Sequence, residues 1–135
     1  MKVGDHFGVR IEASFAARHR VDEAGEPAAE HGHDWQVEVS VASTRLDAIA
    51  IVVDFRKLRA DTEALWAEIG DRPIEEHPDF RDSPATPLAV AKWILRRLSA
   101  LYARQPFRVA SVEVGCDAGI TFLAEELAAR ARGRR

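Results

Sequence analysis

The stretch His31-Gly32-His33-Asp34-Trp35-Gln36-Val37-Glu38-Val39-Ser40-Val41 decides the fold of this 135-residue chain. Apolar residues occupy every second position from Trp35 to Val41, and polar residues stand between them. Because successive side chains of a strand point to opposite faces, this alternation predicts a strand with one buried face. His33 shares the parity of the apolar residues, so the buried face is expected to continue into a histidine pair.

The histidine pair is a candidate metal site. On a strand, residues two apart point the same way, so His31 and His33 can converge on one ion. His19 is the natural third ligand, because it ends an apolar-rich segment and a turn-rich connection separates it from His31. Three neutral imidazoles with one open position are typical of catalytic zinc, and the single cysteine excludes a thiolate-rich closed site. The alternative is a chance histidine pair without metal; the other histidines, His6 and His77, are expected to be surface or capping residues.

Further strands are predicted on both sides of this stretch. Residues 7–17 alternate apolar with polar or small side chains, and the connection at 22–30, which holds Gly25 and Pro27, is predicted to be a loop. Apolar runs predict three more strands, at 49–53, at 109–116 and, as a last short strand, at 120–123.

Two helices are predicted between the third and fourth strands. The first should begin after the capping residue Asp54 and run from Phe55 to about Ile69, with Gly70 ending it. The second should be capped by Thr86 and extend to about residue 104. At helical spacing the first buries Phe55, Leu58, Thr62, Leu65, Trp66 and Ile69, and the second buries Leu88, Ala91, Ile94, Leu95, Leu98, Leu101 and Tyr102. These elements predict an α+β fold, a four- to five-stranded antiparallel sheet with a helix pair on one face.

The amino-acid composition excludes some classes of protein. A chain that is 47% hydrophobic and 30% charged indicates one soluble domain over residues 1–135, and the net charge of -3 argues against a general nucleic-acid binder. The basic tail from about residue 125, with arginines 130, 132, 134 and 135, is expected to be frayed. The start of the chain lacks a signal-peptide pattern and the longest apolar run is too short for a bilayer, so we expect a cytoplasmic protein without a membrane partner.

Together, these motifs resemble the 6-pyruvoyl-tetrahydropterin synthase family, which includes the 6-carboxytetrahydropterin synthases. The family shows Phe-x-Ala-x-His, here Phe15 to His19, then His-Gly-His, and then Asp-Phe before the first helix, here Asp54 and Phe55. Ala85-Thr86 and the segment 91–94 are similar to the start of its second helix, and the likeness extends from residue 7 to about 123. The resemblance implies the tunnelling fold, in which sheets of several subunits close into a barrel with active sites between subunits. It also implies a homo-oligomer, a trimer or hexamer, and zinc held by His19, His31 and His33.

The remaining chemistry of the family is altered in this sequence. Pro27 stands at the catalytic cysteine position, Ala28 at the glutamate position of a variant branch, and Arg72 at the position of the proton-relay histidine, although its neighbour Asp71 is kept. Leu88 replaces the glutamate of the second helix. The glutamate that grips the pterin ring in the family falls near Cys116 and Asp117, which are therefore candidate substrate-binding residues.

A zinc site of this kind needs a base within about 3 Å of the proton it removes. The candidates are Glu26 and Glu30, on the connection that leads into the histidine strand, and Asp71. If the strand has already started at Glu30, that side chain points to the opposite face. Cys116 is a further candidate nucleophile or base, although a lone cysteine at a strand end is more often a buried small hydrophobe.

The sequence is compatible with three alternative functions. The first is a zinc-dependent lyase, aldolase or cyclase that acts on a small hydroxylated or keto substrate by elimination, retro-aldol cleavage or cyclisation. The second is the family's own reaction on dihydroneopterin triphosphate with substituted acid and base groups. The third is a metal-stabilised binding protein without turnover. We rank the lyase first, because several family positions change together while the three histidines are kept.

Overall fold

A computed structural model describes residues 7–22, 24–44, 53–117 and 119–126, without the side chain of Asp117. Four strands form one antiparallel sheet in the order β1 (Phe7–Val21), β2 (Pro27–Ser43), β3 (Arg108–Asp117) and β4 (Ile120–Glu125). The helices are α1 (Phe55–Ala67) and α2 (Pro87–Leu101), and two short 3-10 turns, Ile74–Glu76 and Pro78–Phe80, lie between them. The predicted α+β fold with an antiparallel sheet and two helices is confirmed.

The sheet buries the face that the alternation predicted. From Trp35 to Val41 the odd-numbered side chains of β2 are buried and those between them are exposed or half-buried. α1 packs against β1, and α2 packs against β3 and β4, so both helices meet the sheet. The core between sheet and helices includes Trp35, Leu58, Ile94 and Val112, each at most 1% exposed.

Strand lengths differ from the predictions at the hairpin between β1 and β2. The predicted first strand ends at residue 17, whereas β1 continues to Val21, and β2 begins at Pro27 inside the predicted loop. The turn is therefore short: Gly25 adopts φ 86, and the Asp22 carbonyl accepts a hydrogen bond from the Gly25 amide at 3.1 Å. As a result, His19 and Glu30 both lie on paired strands rather than beside a loop.

Both predicted helix caps are confirmed. The Asp54 side chain accepts from the Arg56 amide, and the Thr86 side chain accepts from the Ala89 amide. The helices end earlier than predicted, at Ala67 and Leu101, and Gly70, with φ 62, lies in the turn after α1.

The predicted buried stripes are wrong at three positions. Phe55 and Leu101, at the ends of their helices, are 57% and 58% exposed, and Leu88 in the first turn of α2 is 48% exposed. Helix α2 is rotated so that Val90 and Trp93, absent from the predicted stripe, are buried instead.

Three predicted features concern residues outside the described ranges, and one of them is the predicted surface or capping role of His6. The third strand at 49–53 falls mostly there, and its last residue, Val53, lies in a bend. The basic tail lies beyond residue 126, and the chain before it is not frayed at 125, because Glu125 belongs to β4 and the Glu126 amide donates to the Ala110 carbonyl. No helix in the described part of the chain is long and apolar enough to cross a membrane.

Candidate metal centre

Strand pairing brings the three predicted histidines together. In the antiparallel register of β1 and β2, His19 lies directly opposite His31, and Ala17 lies opposite His33. His31 and His33 point to the same face of β2, and His19 reaches that face from β1. The sequence prediction that these side chains converge is confirmed geometrically: one ring nitrogen from each lies within 4.8 Å of the others.

The three rings form a compact cluster, here called the three-histidine site. Their centroids are 4.5 Å apart for His19 and His31, 4.8 Å for His31 and His33, and 5.1 Å for His19 and His33. His19 is 1% exposed, whereas His31 and His33 are partly exposed. His19 is therefore the most enclosed of the three residues, whereas His31 and His33 keep some contact with solvent.

Hydrogen bonds orient two of the three rings, those of His19 and His31. Nδ1 of His19 donates to the Ala85 carbonyl at 2.8 Å, and Nδ1 of His31 donates to the Ala29 carbonyl at 2.7 Å. A neutral imidazole with its proton on Nδ1 keeps a lone pair on Nε2. Carbonyl acceptors of this kind commonly orient metal-binding histidines.

The free nitrogens fit a metal ion. Nε2 of His19 and Nε2 of His33 are buried and have no hydrogen-bond partner in the described part of the chain. A buried polar nitrogen without a partner is unfavourable, and a cation bound by the three histidines would satisfy both of these nitrogens. The donor set, three imidazoles without thiolate, suits zinc.

The environment of His19 favours the neutral, metal-binding form of its ring. Burial lowers the pKa of His19 below its ordinary value, and the nearby His31 and His33 lower it further. The hydrogen bond to Ala85 and the negative charge of Glu75 act in the opposite direction, but burial dominates. A lower pKa means that fewer protons compete with a metal ion near neutral pH.

Trp35 forms the apolar wall behind the three-histidine site. Its ring centroid lies 5.0 Å from that of His19 and 6.0 Å from that of His33, and its Nε1 donates to the Ala17 carbonyl at 3.2 Å. His33 and the core residue Trp35 thus lie on the same face of β2, as their shared parity predicted.

Glu30 lies away from the histidines. It is exposed on the opposite face of β2, where its carboxylate pairs with Arg18 and with Arg20. The conditional prediction that Glu30 points away if the strand has started is confirmed, since β2 begins at Pro27.

The other predicted acids lie in turns. Glu26 is exposed in the hairpin turn, where its amide donates to the Asp22 side chain at 3.0 Å. Asp71 is exposed beyond α1, and its carbonyl accepts a hydrogen bond from the Arg18 guanidinium. The structure therefore ties the backbone of Asp71 to β1, one residue before His19.

The two candidate substrate-binding residues lie at the end of β3. Cys116 is partly buried and packs against the core, and Asp117 pairs with Ile120 across the turn to β4. Both residues therefore belong to β3, whereas the three histidines belong to β1 and β2.

Sequence reasoning missed two groups next to His19. One is the Ala85 carbonyl, just before α2, which orients the ring. The other is Glu75 in the first 3-10 turn, whose Oε2 accepts from the Arg20 amide at 2.7 Å. Both come from segments far along the chain, and no periodic pattern marks them.

Comparisons with known proteins agree with the fold. The sequence profile described as 6-pyruvoyl tetrahydropterin synthase matches residues 8–121. No functionally curated protein matches the chain. Among solved structures, the 6-pyruvoyl tetrahydropterin synthase of Caenorhabditis elegans is 17% identical, with a TM-score of 0.75 over 93% of this chain and 99% of that one.

Two more solved structures are similar to the chain. An uncharacterized protein from Wolinella succinogenes is 18% identical with a TM-score of 0.66, over 91% of this chain and 99% of that one. The Plasmodium falciparum 6-pyruvoyl tetrahydropterin synthase is 16% identical with a TM-score of 0.64, over 90% and 98%. At these identities the likeness shows a shared fold.

Proposed function

The chain belongs to the 6-pyruvoyl tetrahydropterin synthase family, and from this premise we propose that it is a zinc-dependent lyase with a reaction that diverges from the family's own. The observation that carries the proposal is the set of three converging histidines, two of which hold buried Nε2 atoms without a partner in the described residues. His19, His31 and His33 would hold the ion. When bound, zinc would supply Lewis-acid polarisation of a substrate oxygen.

The chain's own residues would orient the substrate and remove a proton. Trp35 excludes water from the inner side of the site, and the partly exposed side, next to His31 and His33, would admit a small hydroxylated or keto molecule. Elimination, retro-aldol cleavage and cyclisation all begin with loss of a proton close to the polarised oxygen. We propose a carboxylate as the base, because the family's cysteine and histidine positions hold Pro27 and Arg72.

Among the proposed bases, we favour Glu26 and Asp71 over Glu30. Glu26 lies in the hairpin turn without an ion pair in the described contacts, and Asp71 is tied by its backbone to β1 near His19. Glu30 already pairs with Arg18 and Arg20 on the opposite face. Cys116 and Asp117 stay our proposal for contacts to the substrate, which they would make at the end of β3.

We propose a substrate other than dihydroneopterin triphosphate. Pro27 has no side-chain proton to donate or lone pair to accept one, and a guanidinium such as that of Arg72 offers hydrogen-bond donors but no acceptor. Leu88, at the family's helix glutamate, is exposed and offers no polar partner to a heterocycle. The second candidate, 6-carboxy- or 6-pyruvoyltetrahydropterin synthesis, is favoured by the profile match over residues 8–121.

We further propose that the protein is a homo-oligomer, a trimer or hexamer, with its sites at subunit boundaries. In the described sheet β1 and β4 are the edge strands, and pairing with other subunits would remove open edges. Light scattering at micromolar concentration should give a multiple of 15.0 kDa, and a monomer mass would contradict the proposal. The predicted cytoplasmic location stays a prediction.

The experiment that tests the function combines metal analysis with an assay. Purified protein should carry one zinc per chain, and the zinc form should turn over dihydroneopterin triphosphate poorly. Turnover comparable to that of ordinary enzymes, lost in His31→Ala but kept in Glu26→Gln and Asp71→Asn, would show that both the substrate and the base are misassigned. Zinc binding without turnover of any small polyol or ketone tried would favour a binding protein.

A further inference from the structure

The carboxylate of Glu75 has one oxygen with a hydrogen bond and one without a partner in the described residues. The 3-10 turn Ile74–Glu76 contacts β1, and Oε2 of Glu75 accepts a hydrogen bond from the Arg20 amide at 2.7 Å. The other oxygen, Oε1, is buried and has no hydrogen-bond partner in the described part of the chain. A buried carboxylate oxygen without a hydrogen-bond partner is unfavourable. A bound ion or molecule could supply the missing partner.

The neighbouring acids differ from Glu75 in this respect. Glu30 and Glu76 are exposed, and their carboxylates pair with the guanidinium of Arg20 at 3.2 and 3.1 Å. In the described contacts Glu75 accepts a hydrogen bond only from the backbone amide of Arg20. The guanidinium of Arg20 pairs with Glu30 and Glu76 and not with Glu75. The charge of Glu75 is therefore available to another cation.

Glu75 lies close enough to the three-histidine site to act electrostatically on His19. Arg20, whose amide holds Oε2, directly follows His19, and the charge of Glu75 raises the pKa of His19 against the effect of burial. This electrostatic effect means that the carboxylate acts on the ring whose Nε2 also lacks a partner in the described residues. One of the two unsatisfied atoms belongs to His19 of β1, and the other belongs to a side chain that is bonded to the next residue of that strand, Arg20.

We propose that Glu75 supplies the negative charge, through its free carboxylate oxygen, with which the three-histidine site retains a divalent cation. Three neutral imidazoles leave the whole charge of such an ion uncompensated in a partly buried site, and a nearby carboxylate lowers that cost. The inference rests on the proposed metal site, but it does not depend on the lyase reaction.

Metal titration of matched variants tests this inference. Zn²⁺ and Co²⁺ dissociation constants would be measured by chelator competition for the wild-type protein, Glu75→Gln, Glu75→Asp and the control Glu76→Gln. Glutamine keeps an oxygen that can accept from the Arg20 amide, so Glu75→Gln should fold and lose only the charge. We expect about 10- to 100-fold weaker binding in Glu75→Gln, the range seen when groups that support metal ligands are removed.

The conservative and control variants separate charge from local structure. Glu75→Asp, which keeps the charge, should bind metal more tightly than Glu75→Gln, and Glu76→Gln should stay within about twofold of wild type. Circular dichroism and urea unfolding of the metal-free proteins would report any folding defect separately. If Glu75→Gln does not fold, the Asp variant alone decides, since loss of metal binding from its folded form would contradict a charge effect.

Each result supports or overturns the inference. Equal dissociation constants for Glu75→Gln and Glu76→Gln would overturn it while leaving the metal site intact. Equal losses in Glu75→Gln and Glu75→Asp would overturn it as well, because charge would then not matter. A wild-type protein that binds neither Zn²⁺ nor Co²⁺ would overturn both this inference and the proposed function.

Discussion

His77 and His19 are both buried, but their ring nitrogens have different partners. Nδ1 of His77 accepts from the Asp79 amide at 3.0 Å, and its Nε2 donates to Oε1 of Glu68 at 3.0 Å. In His19 only Nδ1 is bonded, and Nε2 is left without a partner in the described residues. A histidine with both nitrogens satisfied stabilises the fold, whereas a buried histidine with one free nitrogen is suited to an external ligand.

The surroundings of the two histidines differ in the same way. Around His77, the carboxylates of Glu68 and Asp79 also accept from Arg97, and Trp93 donates to Asp79 at 2.8 Å. Around the three-histidine site, the described contacts supply backbone carbonyls that orient the rings. His77 was predicted to be a surface or capping residue, and the second of these roles is confirmed, since its side chain caps the turn Pro78–Phe80.

The largest expected effect is loss of metal from the three-histidine site. His33→Ala removes one of three ligands, and we expect zinc affinity to fall by at least about 100-fold. His77→Ala is the matched control, because it removes a buried histidine elsewhere and should still hold one zinc per chain. Metal analysis after dialysis against a weak chelator measures the zinc content of both variants. Equal zinc contents would contradict the expected difference between His33 and His77.

Removing His77 should instead lower the free energy of unfolding. His77→Ala leaves the Asp79 amide and the Glu68 carboxylate without this partner, and a lost buried hydrogen-bonding group costs about 1–3 kcal/mol. Urea unfolding of the metal-free protein measures the change. A stability equal to wild type would show that water replaces the His77 contacts without cost.

A smaller effect should link the two regions through the start of α2. Thr86→Ala removes the cap that accepts from the Ala89 amide, and such a cap contributes about 1 kcal/mol. Because Ala85 orients His19, fraying here should also weaken zinc binding, by about threefold or less. Thr62→Ala alters a hydroxyl inside α1 and serves as a helix control that should leave zinc affinity unchanged.

The smallest effect concerns pH. Hydrogen bonds from Arg97 and His77 lower the pKa of Glu68, and those from Trp93 and Arg97 lower the pKa of Asp79. Since both pKa values are lower in the folded state, their stabilisation is present at neutral pH and is lost as pH falls below about 4. Arg97→Gln should lower stability at pH 7 by less than about 1 kcal/mol, because the pairs are partly exposed, and should reduce the loss between pH 5 and 3. Unfolding curves at several pH values check this; a parallel decrease at every pH would contradict it.

The part of the site that lies on one hairpin could be predicted from the sequence. Alternation fixes which side chains of β2 share a face, so the convergence of His31 and His33 follows from parity. His19 could be added because it lies close along the chain. Ala85 and Glu75 could not, because their positions depend on how α2 and the first 3-10 turn dock onto β1.

Helix faces were predicted less well than helix positions. Capping chemistry at Asp54 and Thr86 is local, and both helix starts were correct. Phe55, Leu88 and Leu101 lie near helix ends, where an apolar residue at the right spacing extends beyond the surface of the sheet. Periodicity gives the centre of a buried stripe, but its margins depend on the shape of the partner surface.

The hairpin of β1 and β2 contains all three histidines, and it is synthesised before the rest of the chain. Closing a short loop costs little chain entropy and is fast, so His19 can meet His31 before α2 has been synthesised. An ion captured at that stage would hold the strand register during folding and resist a slip by one residue, which would turn His31 and His33 to the other face. The ion would then act first as a folding template, and the later docking of Ala85 would only align a ligand that is already bound.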